Sequence, residues 1–153
     1  MTMVGRYRLR VRRYTVLALI VAGLFVRPEP VFACSCVAPL KVQVAAGAAV
    51  AFTGTTSGMM MITGFGTICS PGGERRGVIF DVETVYKGEV GKSATIFTAA
   101  SGASCGVTFE QGKRYTVFAV RDGETLATDL CRGNVEGPIV PSEYGLEAGR
   151  PPR

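Results

Sequence analysis

Residues 77–86, Gly77-Val78-Ile79-Phe80-Asp81-Val82-Glu83-Thr84-Val85-Tyr86, decide how this chain is read. Val78, Phe80, Val82 and Tyr86 fall on one face and Asp81 and Glu83 on the other, the period-two pattern of a half-buried strand. Tyr86-Lys87-Gly88-Glu89-Val90-Gly91-Lys92 then reads as a turn into a second strand, Ala94 to Thr98, with Ala94, Ile96 and Thr98 on a shared face. A further strand, Arg114 to Val120, follows Gln111-Gly112-Lys113. Arg121-Asp122-Gly123-Glu124 carries the Asp-Gly hairpin signal and pairs that strand directly with Thr125 to Leu130. Upstream, Ala48 to Thr55 supplies a fifth strand, while Val42 to Ala49 is equally compatible with a short helix.

The remaining segments are less regular. Ser57 to Gly73 has no settled period and reads as a long loop or an irregular hairpin. Its Met59-Met60-Met61 run contains soft-metal ligand types, but an apolar loop or strand edge is the plainer reading. Beyond Cys131, Pro138, Pro141, Pro151 and Pro152 with several glycines predict an extended tail, with at most a short helix near Ser142 to Ala148. Five short strands in an open sheet would leave edges exposed. The expected fold is therefore all-β: a five-stranded OB-like Greek-key barrel with a short peripheral helix.

The first 33 residues read as a secretory signal peptide. Arg6, Arg8, Arg10, Arg12 and Arg13 precede an apolar run of 13 residues, Tyr14 to Val26, and Arg27-Pro28-Glu29-Pro30 breaks it. A bilayer-spanning helix needs roughly 20 apolar residues, so a permanent anchor is the weaker reading. Val31-Phe32-Ala33 places tolerable residues at the positions a signal peptidase reads, which puts the cut before Cys34. Lipidation on Cys34 is the rival, although Val31 and Phe32 fit that signal poorly. Arg12-Arg13 hints at twin-arginine export, but its flanks match weakly. The expected product is secreted or extracytoplasmic, held at a membrane only through an uncleaved or lipidated leader.

Charge and composition exclude several function classes. The formal charge is +5, from 17 basic and 12 acidic residues, but six of the basic and one of the acidic residues lie in the leader. The chain from Cys34 onward is neutral, so nothing electrostatic points to nucleic acid. The chain has no histidine, which excludes Ser-His and Cys-His nucleophile pairs and histidine metal sites. Asp81 with Glu83, and Asp122 with Glu124, read as solvated surface, and the serines of Ser101-Gly102-Ala103-Ser104 lack a recognisable base. An enzyme is not expected, nor is a cofactor.

All five cysteines, Cys34, Cys36, Cys69, Cys105 and Cys131, lie after the leader. In an exported chain they are first read as disulfides, and an odd number leaves one free or paired between chains.

The stretch from Cys34 to Asn134 resembles the N-terminal domain of the tissue inhibitors of metalloproteinases. The resemblance is carried by Cys34-Ser35-Cys36-Val37, Ala51-Phe52-Thr53-Gly54, Val85-Tyr86-Lys87-Gly88, Ser104-Cys105-Gly106 and Leu130-Cys131, in that order and at similar spacing. It implies an inhibitor domain over 34–134 between the signal peptide of 1–33 and a Pro/Gly-rich tail of 135–153. Two disulfides are implied, Cys34 to Cys105 and Cys36 to Cys131. Cys34 would chelate the catalytic zinc of a target zinc metalloprotease, Ser35 would enter its specificity pocket, and Cys36, Val37, Ala38 and Pro39 would form the neighbouring contact ridge. The inhibitor would act as a monomer.

This chain departs from the family pattern in three ways. It has no partner for the family's third bridge, Ala38 stands where the family often has proline, and Cys69 is unmatched and expected as a partly buried free thiol. Netrin-like domains of the same fold serve as binding or structural modules, and that is the alternative reading.

Overall fold

The computed structural model describes residues 34–62 and 74–153. The expected leader of 1–33 and residues 63–73, which include Cys69, lie outside the described residues. The described chain is mostly β. In order, it runs through helix α1 (Lys41–Gly47) and strands β1 (Val50–Ile62), β2 (Arg75–Lys87), β3 (Ser93–Ala99), β4 (Arg114–Asp122), β5 (Thr125–Ala127) and β6 (Val135–Glu136). Single 3-10 turns occupy Gly102–Ser104, Leu130–Arg132 and Pro141–Tyr144.

Hydrogen bonding makes a ring of five strands. β1 pairs with β2, β2 with β3, β3 with β5, β5 with β4, and β4 returns to β1. Every contact is antiparallel except β3 with β5, where Ile96 faces Leu126 and Phe97 faces Ala127 in parallel. β6 adds to β4 outside the ring. Closure leaves these five strands few bare edges, the hazard that a long open sheet would carry.

The interior follows from strand alternation. Val50 and Phe52 of β1, Val78, Phe80 and Val82 of β2, Ala94 and Ile96 of β3, and Tyr115, Val117 and Ala119 of β4 share one buried cluster. Phe52, Phe80, Phe109 and Tyr115 run through it as edge-to-face neighbours at 5.6, 5.2 and 5.0 Å between ring centres. That geometry sets the positive ring edge against a negative face.

Several expectations from the sequence need correction. Tyr86 does not share the inner face with Val82; Val85 does, and Tyr86 packs against a second cluster. The β1–β2 register shifts at Glu83 and again at Tyr86, each placing an extra residue on β2, and such bulges rotate the face that follows. Of the two readings of Ser57 to Gly73, the described residues favour the irregular hairpin over the loop: β1 continues through Ile62, bulged and antiparallel to β2, with Met61 opposite Arg76. β5 ends at Ala127, and Leu130 belongs to a 3-10 turn whose second amide, that of Cys131, donates to the Asp129 carboxylate. A sixth strand is present, formed by two residues of the segment read as tail.

Residues 135–153 pack against the ring. Tyr144 is buried and stacks on Phe118 of β4 at 5.2 Å, joining Ala45, Ala48 and Ala51 in the second cluster. Arg150 exchanges both backbone hydrogen bonds with Val85, at 2.8 and 2.9 Å. β1 and β4 are thus covered on both faces, which explains why Ala51 and Phe118 are fully buried although they point away from the ring interior.

Candidate functional site

Cys34 to Pro39 is held by its ends. Cys34 is joined to Cys105 and Cys36 to Cys131, with Cα separations of 5.2 and 5.3 Å. These are the two pairs implied by the resemblance. At the far end Leu40 opens α1, its carbonyl accepting from the amides of Gln43 and Val44 at 2.9 and 3.0 Å. Between these anchors, no residue from Cys34 to Pro39 makes a backbone hydrogen bond among the described residues. The disulfides therefore do what a sheet pairing would otherwise do.

Alternation decides what the segment presents. Cys34 and Cys36 are half-buried against the body, while Ser35, Val37, Ala38 and Pro39 are exposed. Val37 is 94% exposed and Leu40 64%. A large apolar side chain so fully in water forgoes roughly 1.5–3 kcal/mol of burial, which contact with a partner would recover.

The body beneath is braced. Cys105 closes the Gly102–Ser104 turn in the left-handed region, with φ 64°, and is the only described non-glycine residue there. The Leu130 amide donates to the Cys105 carbonyl at 2.9 Å, tying the two cystine anchors to each other. The Asp129 carboxylate accepts from the Cys131 amide at 2.8 Å and from Arg132 Nε at 3.1 Å. α1 lies close against the same loop at Gly133: a Cβ on that residue would sit 2.9 Å from Val44, and its φ is +69°. Lys87 Nζ donates to the Ala45 and Ala46 carbonyls at the C-terminal end of α1, adding to the Ala48 amide that already caps Ala45.

Asn134 locks this loop onto the ring. Its carbonyl oxygen accepts from the buried Phe118 amide at 3.0 Å, and its amide nitrogen donates to Thr128 Oγ1 at 2.9 Å and the Asp129 carbonyl at 3.2 Å. Asn134→Ala strips three bonds and orphans a buried amide, so a loss of about 2–3 kcal/mol is expected in urea unfolding. A loss below about 0.5 kcal/mol would show that the loop is held by the disulfide alone.

Ser35, Val37, Ala38 and Pro39 thus lie on one exposed segment between Cys36 and α1. Leu130 entered the sequence reading only within Leu130-Cys131 and as a strand end, with no contact role. It is half exposed beside Cys131, the bridge partner of Cys36, and adds a further apolar side chain next to the segment. Its signal was that adjacency alone. Of the carboxylates read as solvated surface, Glu83 accepts from Thr55 at 2.7 Å and pairs with Arg114. The Thr55 hydroxyl first, and the Arg114 guanidinium second, hold its carboxyl below the usual range. Asp122 pairs with Arg75 in a half-buried position.

Among the described residues, no cluster of histidine, cysteine and carboxylate side chains is arranged to hold a metal, and no helix is long and apolar enough to cross a membrane. The two disulfides suit an oxidising compartment. The chain matches no protein-family model and no curated relative.

Proposed function

We propose that this chain is an exported inhibitor of zinc metalloproteases that acts through Cys34 as its mature first residue. One observation carries the reading: two disulfides pin Cys34 and Cys36 while Ser35 and Val37 between and beyond them face outward. The ring order β1-β2-β3-β5-β4, closed by a short parallel contact, supports placing this segment on an OB-like Greek-key barrel.

The chemistry is that of chelation. A catalytic zinc keeps an open position for water, and the α-amine and carbonyl of one residue form a five-membered chelate that displaces it. Ser35 would then point into the pocket beside the metal, and Val37, Ala38 and Pro39 would lie along the cleft. A segment ordered before binding loses little further entropy on docking. Cleavage between Ala33 and Cys34 is required, because an acylated nitrogen has no lone pair for the metal.

Only the unprotonated amine binds metal, and a free α-amino group titrates at about 7.7–8.0. Protons therefore compete with zinc as pH falls. Inhibition is expected to weaken about 30- to 50-fold from pH 8 to pH 6, with the protease's own pH profile divided out. The check is an inhibition titration against a panel of zinc proteases, using exported protein whose intact mass establishes Cys34 as the first residue. A flat profile would rule out chelation. A blocked or lipidated amine would leave the netrin-like binding module as the function.

A further inference from the structure

Beyond Thr55, β1 has β2 as its sole strand partner among the described residues. This end of the strand carries Met59, Met60 and Met61, which are 48, 40 and 57% exposed. Three consecutive apolar residues in water on one strand are out of place unless something uses them. Outside the expected leader they are the chain's only methionines, and the chain has no histidine.

The register sorts the three. Gly58 to Ile62 pair with Ile79 to Arg75 without interruption, so alternation puts Met59 and Met61 on one face and Met60 on the other. Met60 lies across Gly77, where an added Cβ would stand 3.3 Å from its Sδ and 3.1 Å from the Phe97 ring. Met59 and Met61 sit opposite Val78 and Arg76 instead. With Thr108 and Phe109 they line an open hollow of about 390 Å³. Phe109 is a buried member of the ring's interior cluster, so this side of the hollow is apolar. Arg76 also lines it, with one terminal nitrogen donating to the Ala100 carbonyl at 2.8 Å.

We propose that Met59 and Met61 bind copper(I) between their two thioether sulfurs in this hollow. Residues two apart on a strand face start about 6.4–6.8 Å from each other, and rotation about χ1 and χ2 brings both sulfurs to one ion between them. Thioethers are neutral, soft ligands that select copper(I), whereas zinc is held by thiolate, imidazole or carboxylate. The Arg76 charge opposes any cation, and opposes a divalent one twice as strongly as a monovalent one. A thioether has no proton to lose, so binding here should not change between pH 6 and pH 8, unlike binding to an amine or a thiolate. The site is separate from Cys34 and is tested without any protease.

The test uses the full exported chain carrying Cys69→Ser, which removes the cysteine outside the two disulfides, since a thiolate would compete for soft metals. Its methionine methyl groups are labelled with carbon-13 and the chain is titrated with silver(I), a redox-stable stand-in, then with copper(I) supplied as its acetonitrile complex under argon. Both ions should shift the Met59 and Met61 methyl resonances saturably at one ion per chain and leave Met60 nearly unmoved, while zinc should shift none. Met59→Leu or Met61→Leu removes one of two linked ligands and should weaken binding at least about tenfold. Met60→Leu should leave affinity unchanged and also assigns the third resonance. Leucine keeps the methionine volume, and circular dichroism checks that each variant is folded. No saturable shift by either ion, equal shifts of all three methyl groups, equal shifts from zinc, or equal weakening by Met60→Leu and Met61→Leu would overturn the proposal.

Discussion

One alanine placed before Cys34 is expected to cut inhibition by at least about a hundredfold while leaving stability unchanged. The extension converts the Cys34 amine into an amide, which has no basic lone pair, and puts a side chain where the metal would sit. Losing a buried polar contact at an interface costs on the order of 3 kcal/mol, or about a hundredfold. Neither disulfide is touched, since Cys105 and Cys131 keep their partners. Urea unfolding of the extended and native forms should therefore coincide within about 0.5 kcal/mol, and any lost inhibition then reports the N-terminus itself. Equal inhibition by both forms would mean that the exposed segment binds without its amine.

The parts of this fold legible in the sequence are those fixed by local rules. Val78, Phe80 and Val82 declare their face because Ile79 and Asp81 alternate with them, and all three are buried in the ring. Asp122-Gly123 marks its hairpin because Gly123 takes φ +61° at the first position of a two-residue loop, leaving Asp122 opposite Thr125. Neither feature depends on a distant residue.

The features that were not legible depend on distant ones. Val85 turns inward because of bulges whose positions are set by pairing with β1, a strand more than twenty residues earlier. Met59, Met60 and Met61, legible only as loop or strand edge, become strand because Val78, Gly77 and Arg76 lie opposite; Gly77 leaves room for Met60 beside Phe97. The two-pair contact of β3 with β5 closes the ring without any periodic signature of its own. β6 has two residues, too few for a pattern. The site divides in the same way. The resemblance pointed to Cys34 through Cys36 and their bridges, whereas the hollow beside Phe109 draws residues from β1, β2 and the segment before β4, which nothing in the sequence joins.

Removing Cys36 and Cys131 together by alanine should separate what the bridges do for stability from what they do for binding. With Cys34–Cys105 intact, the loop closed by the second bridge is no longer the direct separation of 95 residues. It runs from Cys36 back to Cys34, across the first bridge and on to Cys131, a path of roughly 28 residues. Chain entropy assigns such a closure about 3.6 kcal/mol, and by the same path the first bridge contributes as much when the second is present. Whichever bridge is left alone then closes its full loop and contributes about 4.5 kcal/mol. One removal should thus lower unfolding stability by about 3.6 kcal/mol and two by about 8, more than double the single loss. A loss of that size exceeds the whole stability of many domains. The singly bridged form should remain folded in dilute buffer at low temperature, with Cys34 still fixed but Val37 to Pro39 tied only at α1. Ordering three freed residues on docking costs several kcal/mol at about 1–2 per residue, part of it offset by Pro39's restricted backbone. Inhibition measured where circular dichroism shows the variant fully folded should therefore weaken at least about thirtyfold, a deficit of roughly 2 kcal/mol. Unaltered inhibition by this variant would place the binding energy in Cys34 and Ser35 alone and remove the exposed ridge from the mechanism.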